Sequence, residues 1–291
     1  YNGLFLMKII TYFFQSVLIY LMFFLVKILG LKISRIFFSF IFQNLGPLIK
    51  SKKVVDENLE LIKNKTHINK KEIVKSMWSN YAKTFVEYMY LRRFMEQNNH
   101  IEIKGEEFLD NIIKKKKQVI FVSGHFANFE LMSMELTKRN IKLATIYRPL
   151  NNLFLNPLME YLREKYICKI QIRKGIKGLK KTINLINDGF NIALMVDQRL
   201  SEGIKSKFIG REALTTTLPA QLIKKFNLEI VPIYIYRLRN EKFVMEVMQP
   251  ILYKDSKSSD KELITENLND LIEKLILRNP GQWIWTHNRW K

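Results

Sequence analysis

A histidine and a carboxylate share one short stretch, Ser123-Gly124-His125-Phe126-Ala127-Asn128-Phe129-Glu130, between the apolar run 118–122 and a helix-like run. Imidazole changes charge near neutral pH. A carboxylate on one ring nitrogen fixes its tautomer and leaves the other nitrogen to take a proton. The chain has four histidines, so proton-transfer candidates are few. Within one helix, residues five apart lie ~140° apart and do not face each other. The spacing therefore predicts His125 in the turn and Glu130 in the first helical turn. Asn128 would be the N-cap, and Glu130 would sit at the positive helix end.

No enzyme nucleophile accompanies this pair. Ser123 lies outside a G-x-S-x-G elbow. Cys168, the one cysteine, sits in Tyr166-Ile167-Cys168-Lys169 and reads as packing. A base without a nucleophile implies that the substrate supplies one, for instance a hydroxyl that attacks an acyl carbon. There is no H-x-x-x-H pair, and His67, His100 and His287 are scattered, so the pattern does not suggest a metal. Two further polar clusters follow predicted strands: Tyr147-Arg148-Pro149 and Asp197-Gln198-Arg199. Ligands of parallel α/β sheets collect at the carboxyl ends of strands. Arg148 would meet a developing oxyanion or a phosphate there.

The elements that must position these residues alternate. Strands are predicted over 118–122, 142–147, 170–173, 192–196, 229–236 and 243–248. Helices are predicted over 129–139, 153–166, 178–187, 218–226 and 260–277, with two more inside 51–97 split near 66–69. This is an α/β pattern: a mixed central sheet flanked by helices. Three regions follow: 1–50 as a membrane anchor and interfacial segment, 51–116 as a helical lead-in, and 117–291 as the α/β core. The basic run 114–117 reads as a solvated turn and 254–261 as a mobile polar loop.

The uncharged run 9–26, IITYFFQSVLIYLMFFLV, is near the minimum length for a spanning helix. A signal peptide is the alternative, although no small-residue cleavage site follows. The stretch 36–49, broken by Gly46-Pro47, suggests an interfacial segment. At the other end, Trp283, Trp285 and Trp290 form either a membrane-interface edge or a packed cap. A net charge of +21 favours a polyanionic partner: nucleic acid, an anionic membrane, a phosphorylated substrate or an acidic carrier protein. A lysine-rich composition is the plainer explanation. One cysteine excludes an intrachain disulfide and suits a reducing compartment.

Several blocks occur in order: His125-x4-Glu130, Tyr147-Arg148-Pro149, Met195-Val196-Asp197-Gln198, Phe208-x-Gly210 with Thr215-Thr216-Thr217, and Pro280-x-Gln282-Trp283-x-Trp285-x-His287. Together they resemble the lysophospholipid-acyltransferase-like superfamily, and within it the bacterial lipid A biosynthesis acyltransferases of the lauroyl/myristoyl type. One departure is Gly281, where many relatives carry an acidic residue. The resemblance implies transfer of a fatty acyl chain from acyl carrier protein to a hydroxyl of a phosphorylated lipid A precursor, at the cytoplasmic face of the inner membrane. It implies no cofactor beyond the acyl carrier co-substrate. It places His125 as base, Glu130 as its carboxylate partner, and Arg148 and Asp197 as further catalytic positions. Asp197 binds His125 or orders Arg148. The expected partners are acyl carrier protein, a phosphorylated glycolipid and an anionic membrane, and not nucleic acid. Phe126, Phe129, Leu131 and Met132 are candidate walls of an acyl tunnel or ordinary core. A related acyltransferase on a phosphatidylinositol mannoside or lysophospholipid, using acyl-CoA, is the alternative. A membrane-tethered basic module for nucleic acid is another.

Overall fold

A computed structural model of the chain describes residues 2–49, 52–253 and 260–291. Most of the polar loop expected at 254–261 lies outside the described residues.

The apolar N-terminus is helix α1 (Asn2–Ile49), bent at Gly30, whose φ of +76° and ψ of 165° leave the helical region. Glycine takes that conformation without the Cβ penalty, so the bend falls there. The helix is long and apolar enough to cross a membrane by length and composition, and 17% of its apolar window is buried. Phe14, Phe24 and Phe40 are about two-thirds exposed. The stretch 36–49 is not a separate element. It continues α1 past the bend, where Phe38 packs against Ala82 and Val86.

Helix α2 (Lys52–Glu60) and helix α3 (Lys70–Glu87) follow. Asn69 caps α3 by accepting from the Lys71 backbone N–H at 2.8 Å. Ile73, Met77, Trp78, Ala82 and Val86 form its buried face at helical spacing. Helix α4 (Leu91–Glu96), strand β1 (Ile101–Lys104) and helix α5 (Glu106–Lys114) lead to strand β2 (Val119–Ser123). Alternation then runs through α6 (Glu130–Lys138), β3 (Leu143–Tyr147), α7 (Asn156–Tyr166), β4 (Ile170–Arg173), α8 (Ile176–Asn187) and β5 (Asn191–Met195). A hairpin of β6 (Ile204–Phe208) and β7 (Arg211–Thr215) intervenes. After it come α9 (Leu218–Phe226), β8 (Glu229–Arg237), β9 (Phe243–Val247) and α10 (Lys261–Arg278).

Seven strands form one sheet in the order β1-β9-β8-β2-β5-β3-β4. All neighbours are parallel except β8 and β9. Strand β2 is Val-Ile-Phe-Val-Ser and every residue is buried, as a central parallel strand covered on both faces requires. Each such apolar side chain stabilises the fold by about 1.5–3 kcal/mol. Strand β1, from the lead-in segment, closes one edge of the sheet by pairing with β9.

Register does the positioning. Ser123 on β2 pairs with Met195 on β5, and the Val196 N–H donates to the Ser123 carbonyl at 2.9 Å. His125 and Asp197 are each two residues beyond that matched pair, at the same end of adjacent strands. The C-terminal tryptophans are a packed cap rather than an exposed edge, since Trp283, Trp285 and Trp290 are all buried.

Candidate active site

The corner after β2 is tight. A Cβ on Gly124 would meet the Phe126 ring at 2.8 Å and an Asp197 carboxylate oxygen at 3.2 Å, so only hydrogen fits. Ala127 adopts a left-handed φ of 45°. This conformation is costly for alanine and persists where its surroundings hold it. The Ala127 N–H donates to the Gln282 carbonyl at 2.9 Å, and the Ala127 carbonyl accepts from the Thr84 hydroxyl at 3.0 Å.

This corner aims His125 at Asp197. Nδ1 of the ring lies 2.7 Å from Asp197 Oδ1, and the His125 backbone N–H donates to Asp197 Oδ2 at 2.8 Å. The Trp283 indole N–H also donates to Oδ2, at 2.7 Å. Burial alone would raise the Asp197 pKa. The charge of His125 and the three hydrogen bonds outweigh it and hold the carboxyl down at about 2. With Asp197 ionised, Nδ1 carries a proton toward it, and Nε2 faces the Gln198 side-chain nitrogen at 3.3 Å. The ring keeps 16% of its side-chain surface exposed, while the Asp197 carboxyl keeps 1%. The Phe129 ring meets the imidazole edge-on, with centroids 4.6 Å apart.

Glu130 is elsewhere, so the expected His125–Glu130 contact is corrected. It opens α6 as the spacing predicts, but its Oε1 accepts from Arg163 Nε at 2.8 Å, Arg163 Nη2 at 2.6 Å and the Tyr88 hydroxyl at 2.5 Å. The helix start turns Glu130 toward α7 and the turn that follows α3, and Asp197 takes the place beside His125. Nor is Asn128 a cap: Phe129 occupies the N-cap position without a side-chain bond. Asn128 instead donates to Glu87 Oε2 at 2.9 Å. Glu87 is fully buried. Burial would raise its pKa, but Arg237 and Arg35 lower it.

Arg148 follows β3 and is exposed. It makes no hydrogen bond or ion pair with His125 or Asp197 among the described residues. Its charge is nevertheless felt at His287, where burial is the largest cause of a lowered pKa. Phe126, Leu131 and Met132 are core, and Phe129 is half-buried. Cys168 is buried, with its thiol pKa pushed up by burial.

Sequence reasoning missed Trp283, Gln198, Tyr88 and Arg163 as members of these clusters. Gln198 and Trp283 lay in quoted blocks, and what the sequence did not show was that Gln198 meets His125 and Trp283 meets Asp197. Tyr88 and Arg163 carried no local signal, because helix packing alone brings them to Glu130.

The arrangement places an imidazole at a strand end, and among the described residues no serine, threonine or cysteine side chain is hydrogen-bonded to it. The family model described as bacterial lipid A biosynthesis acyltransferase matches residues 5–291. Two curated relatives align over part of the chain. Lipid A biosynthesis acyltransferase 2 of Shigella flexneri is 22% identical over 184 residues, covering 62% of this chain and 58% of that protein. Lipid A biosynthesis lauroyltransferase of Escherichia coli (strain K12) is 24% identical over 193 residues, covering 65% and 61%. The matched region thus spans about three-fifths of each relative's own length.

Proposed function

Because the chain belongs to the bacterial lipid A biosynthesis acyltransferase family, we propose that it transfers a fatty acyl group from a carrier-protein thioester to a hydroxyl of a phosphorylated lipid A precursor. The observation that carries this reading is the 2.7 Å contact between His125 Nδ1 and Asp197, beside an Nε2 that faces a neutral amide.

In this mechanism His125 Nε2 takes the proton of the acceptor hydroxyl as its oxygen attacks the thioester carbonyl carbon. The tetrahedral oxyanion then collapses, the C–S bond breaks, and the imidazolium returns its proton to the leaving thiolate. Asp197 holds the tautomer and stabilises the imidazolium. Arg148, exposed beyond β3, meets the oxyanion or an acceptor phosphate when substrate is present. Glu130 is a positioning residue that ties the start of α6 to α7 through Arg163. Helix α1 keeps the site at the inner membrane, on its cytoplasmic face, where the acceptor lies. The excess of basic residues suits an acidic carrier protein and an anionic bilayer.

The test is turnover. Purified protein receives acyl carrier protein thioesters or acyl-CoA of several chain lengths, with a tetra-acylated phosphorylated disaccharide as acceptor. The expected result is a mass gain of one acyl group, with carrier protein preferred over CoA. Folded protein that gives no gain across the chain lengths overturns the reading. Gain only on a lysophospholipid or phosphatidylinositol mannoside replaces the acceptor.

A further inference from the structure

A second feature lies apart from His125. Just past the Gly30 bend, the second half of α1, α3, α4 and the turn between β8 and β9 enclose a cavity of about 730 Å³. Four cations line it, Lys32, Arg35, Lys83 and Arg93, against one carboxylate, Glu241. Two of the cations are already engaged. Arg35 is held by buried Glu87 at 2.7 Å, and Lys83 by Glu241 at 2.7 Å. Lys32 and Arg93 are exposed and have no ion-pair partner among the described residues, and Arg93 Nε donates to the neutral Gln97 side chain at 3.1 Å. A smaller recess of about 130 Å³ shares the Leu31, Arg35 and Arg93 walls, and buried His100 lines it. Neither His100 ring nitrogen makes a hydrogen bond, although Nε2 lies 3.4 Å from Glu135.

The walls are not uniformly polar. Ile36 and Phe40 line the cavity and are 67% and 68% exposed. They continue the outward apolar face of α1, so the cations meet apolar surface along one edge. A soluble phosphate would have no use for that edge, and an acidic protein surface would not fill a concave apolar cavity. A phosphate diester joined to acyl chains uses both parts.

The geometry points to an anionic glycerophospholipid site, with the head-group phosphate on Lys32 and Arg93 and an acyl chain along Ile36 and Phe40. The site is separate from the reaction: its occupant is neither donor nor acceptor, and the inference stands without the acyl-transfer reading. Glu87 gives it a physical connection to the catalytic corner, because the same carboxylate holds Arg35 on the cavity wall and Asn128 beside His125.

The test is native mass spectrometry of the full chain in neutral detergent, titrated with dioctanoyl phosphatidylglycerol, dioctanoyl phosphatidylcholine or glycerol 1-phosphate. One saturable phosphatidylglycerol per chain is expected, at least about tenfold tighter than phosphatidylcholine. K32A/R93A should weaken it about 10–30-fold, since each cation acts on an anionic lipid largely independently. K177A/K180A, which removes the same charge from exposed α8 positions, should leave binding unchanged. Both variants alter exposed side chains, and circular dichroism verifies their fold. Equal binding of the two lipids, or an unchanged K32A/R93A, overturns the proposal. Glycerol 1-phosphate competing as well as the lipid reassigns the site to free phosphate, and so also overturns it.

Discussion

The corner after β2 feeds two buried carboxylate clusters, and they are built to opposite ends. At one, Asp197 receives the His125 ring, the His125 backbone N–H and the Trp283 indole, yet the ring keeps a second nitrogen toward a neutral amide at 3.3 Å. At the other, Glu130 receives two guanidinium nitrogens and a phenol, all on one carboxylate oxygen, Oε1. Burial pushes the Tyr88 phenol pKa up, and the neighbouring Glu130 charge adds to it. Both clusters satisfy the rule that buried charges are paired. Only in the first does a ring nitrogen face a neutral amide instead of a charge. Proximity of acid and base in sequence therefore says little about which groups meet, and the partners that packing supplies say more.

The comparison breaks most sharply at His125. His125→Ala should lower turnover about 10²–10⁴-fold, as removal of a general base does, in a protein that still folds because the residue-125 backbone N–H and the Trp283 indole continue to bond Asp197. Full activity in that variant would dissolve the distinction. Arg163→Met should do the reverse. It strands the Glu130 charge in the interior and should destabilise by about 3–5 kcal/mol, read by denaturant unfolding. A stable but inactive Arg163→Met protein would instead give Glu130 a direct part in the chemistry. The third effect is smaller and depends on pH. The folded Asp197 pKa, at about 2, lies below its ordinary value of 3.8. Its stabilisation, roughly 2 kcal/mol, is therefore full above about pH 4 and lost as pH falls toward 2. Stability measured from pH 5 to 2 should fall more steeply in the wild type than in Asp197→Asn. Parallel curves would remove Asp197 from the linkage.

Much of the fold was legible because apolar runs and helical spacing are local. The central strands and α3 fall within a few residues of where composition puts them. Strand β1 and the β6–β7 hairpin were not legible. Their strands are four or five residues long and carry lysine, arginine or glutamate on the solvent side. The hairpin's turn signal, Ile209-Gly210 with both φ positive, was visible only as part of a motif. Within the site, His125, Asp197 and Arg148 were named from strand ends. Which carboxylate serves the histidine depends on β2 lying beside β5, and strand order is not written locally. The apolar ends needed the fold as well. Aromatic α1 and the tryptophan segment look alike in composition, but one faces outward and the other finds polar partners inside.

The hold of the C-terminal segment on the His125 corner has a consequence in time. Gln282 secures Ala127 and Trp283 secures Asp197, yet both are translated long after His125. At synthesis rates of about 5–20 residues per second, the corner waits roughly 10–30 s for its clasp. Helix α1, translated before His125, has at least that interval in which to reach a bilayer. A nascent chain therefore carries an unassembled centre until its destination is settled, and a ribosome stalled before residue 280 releases a polypeptide with its membrane-competent helix complete and its chemistry still open.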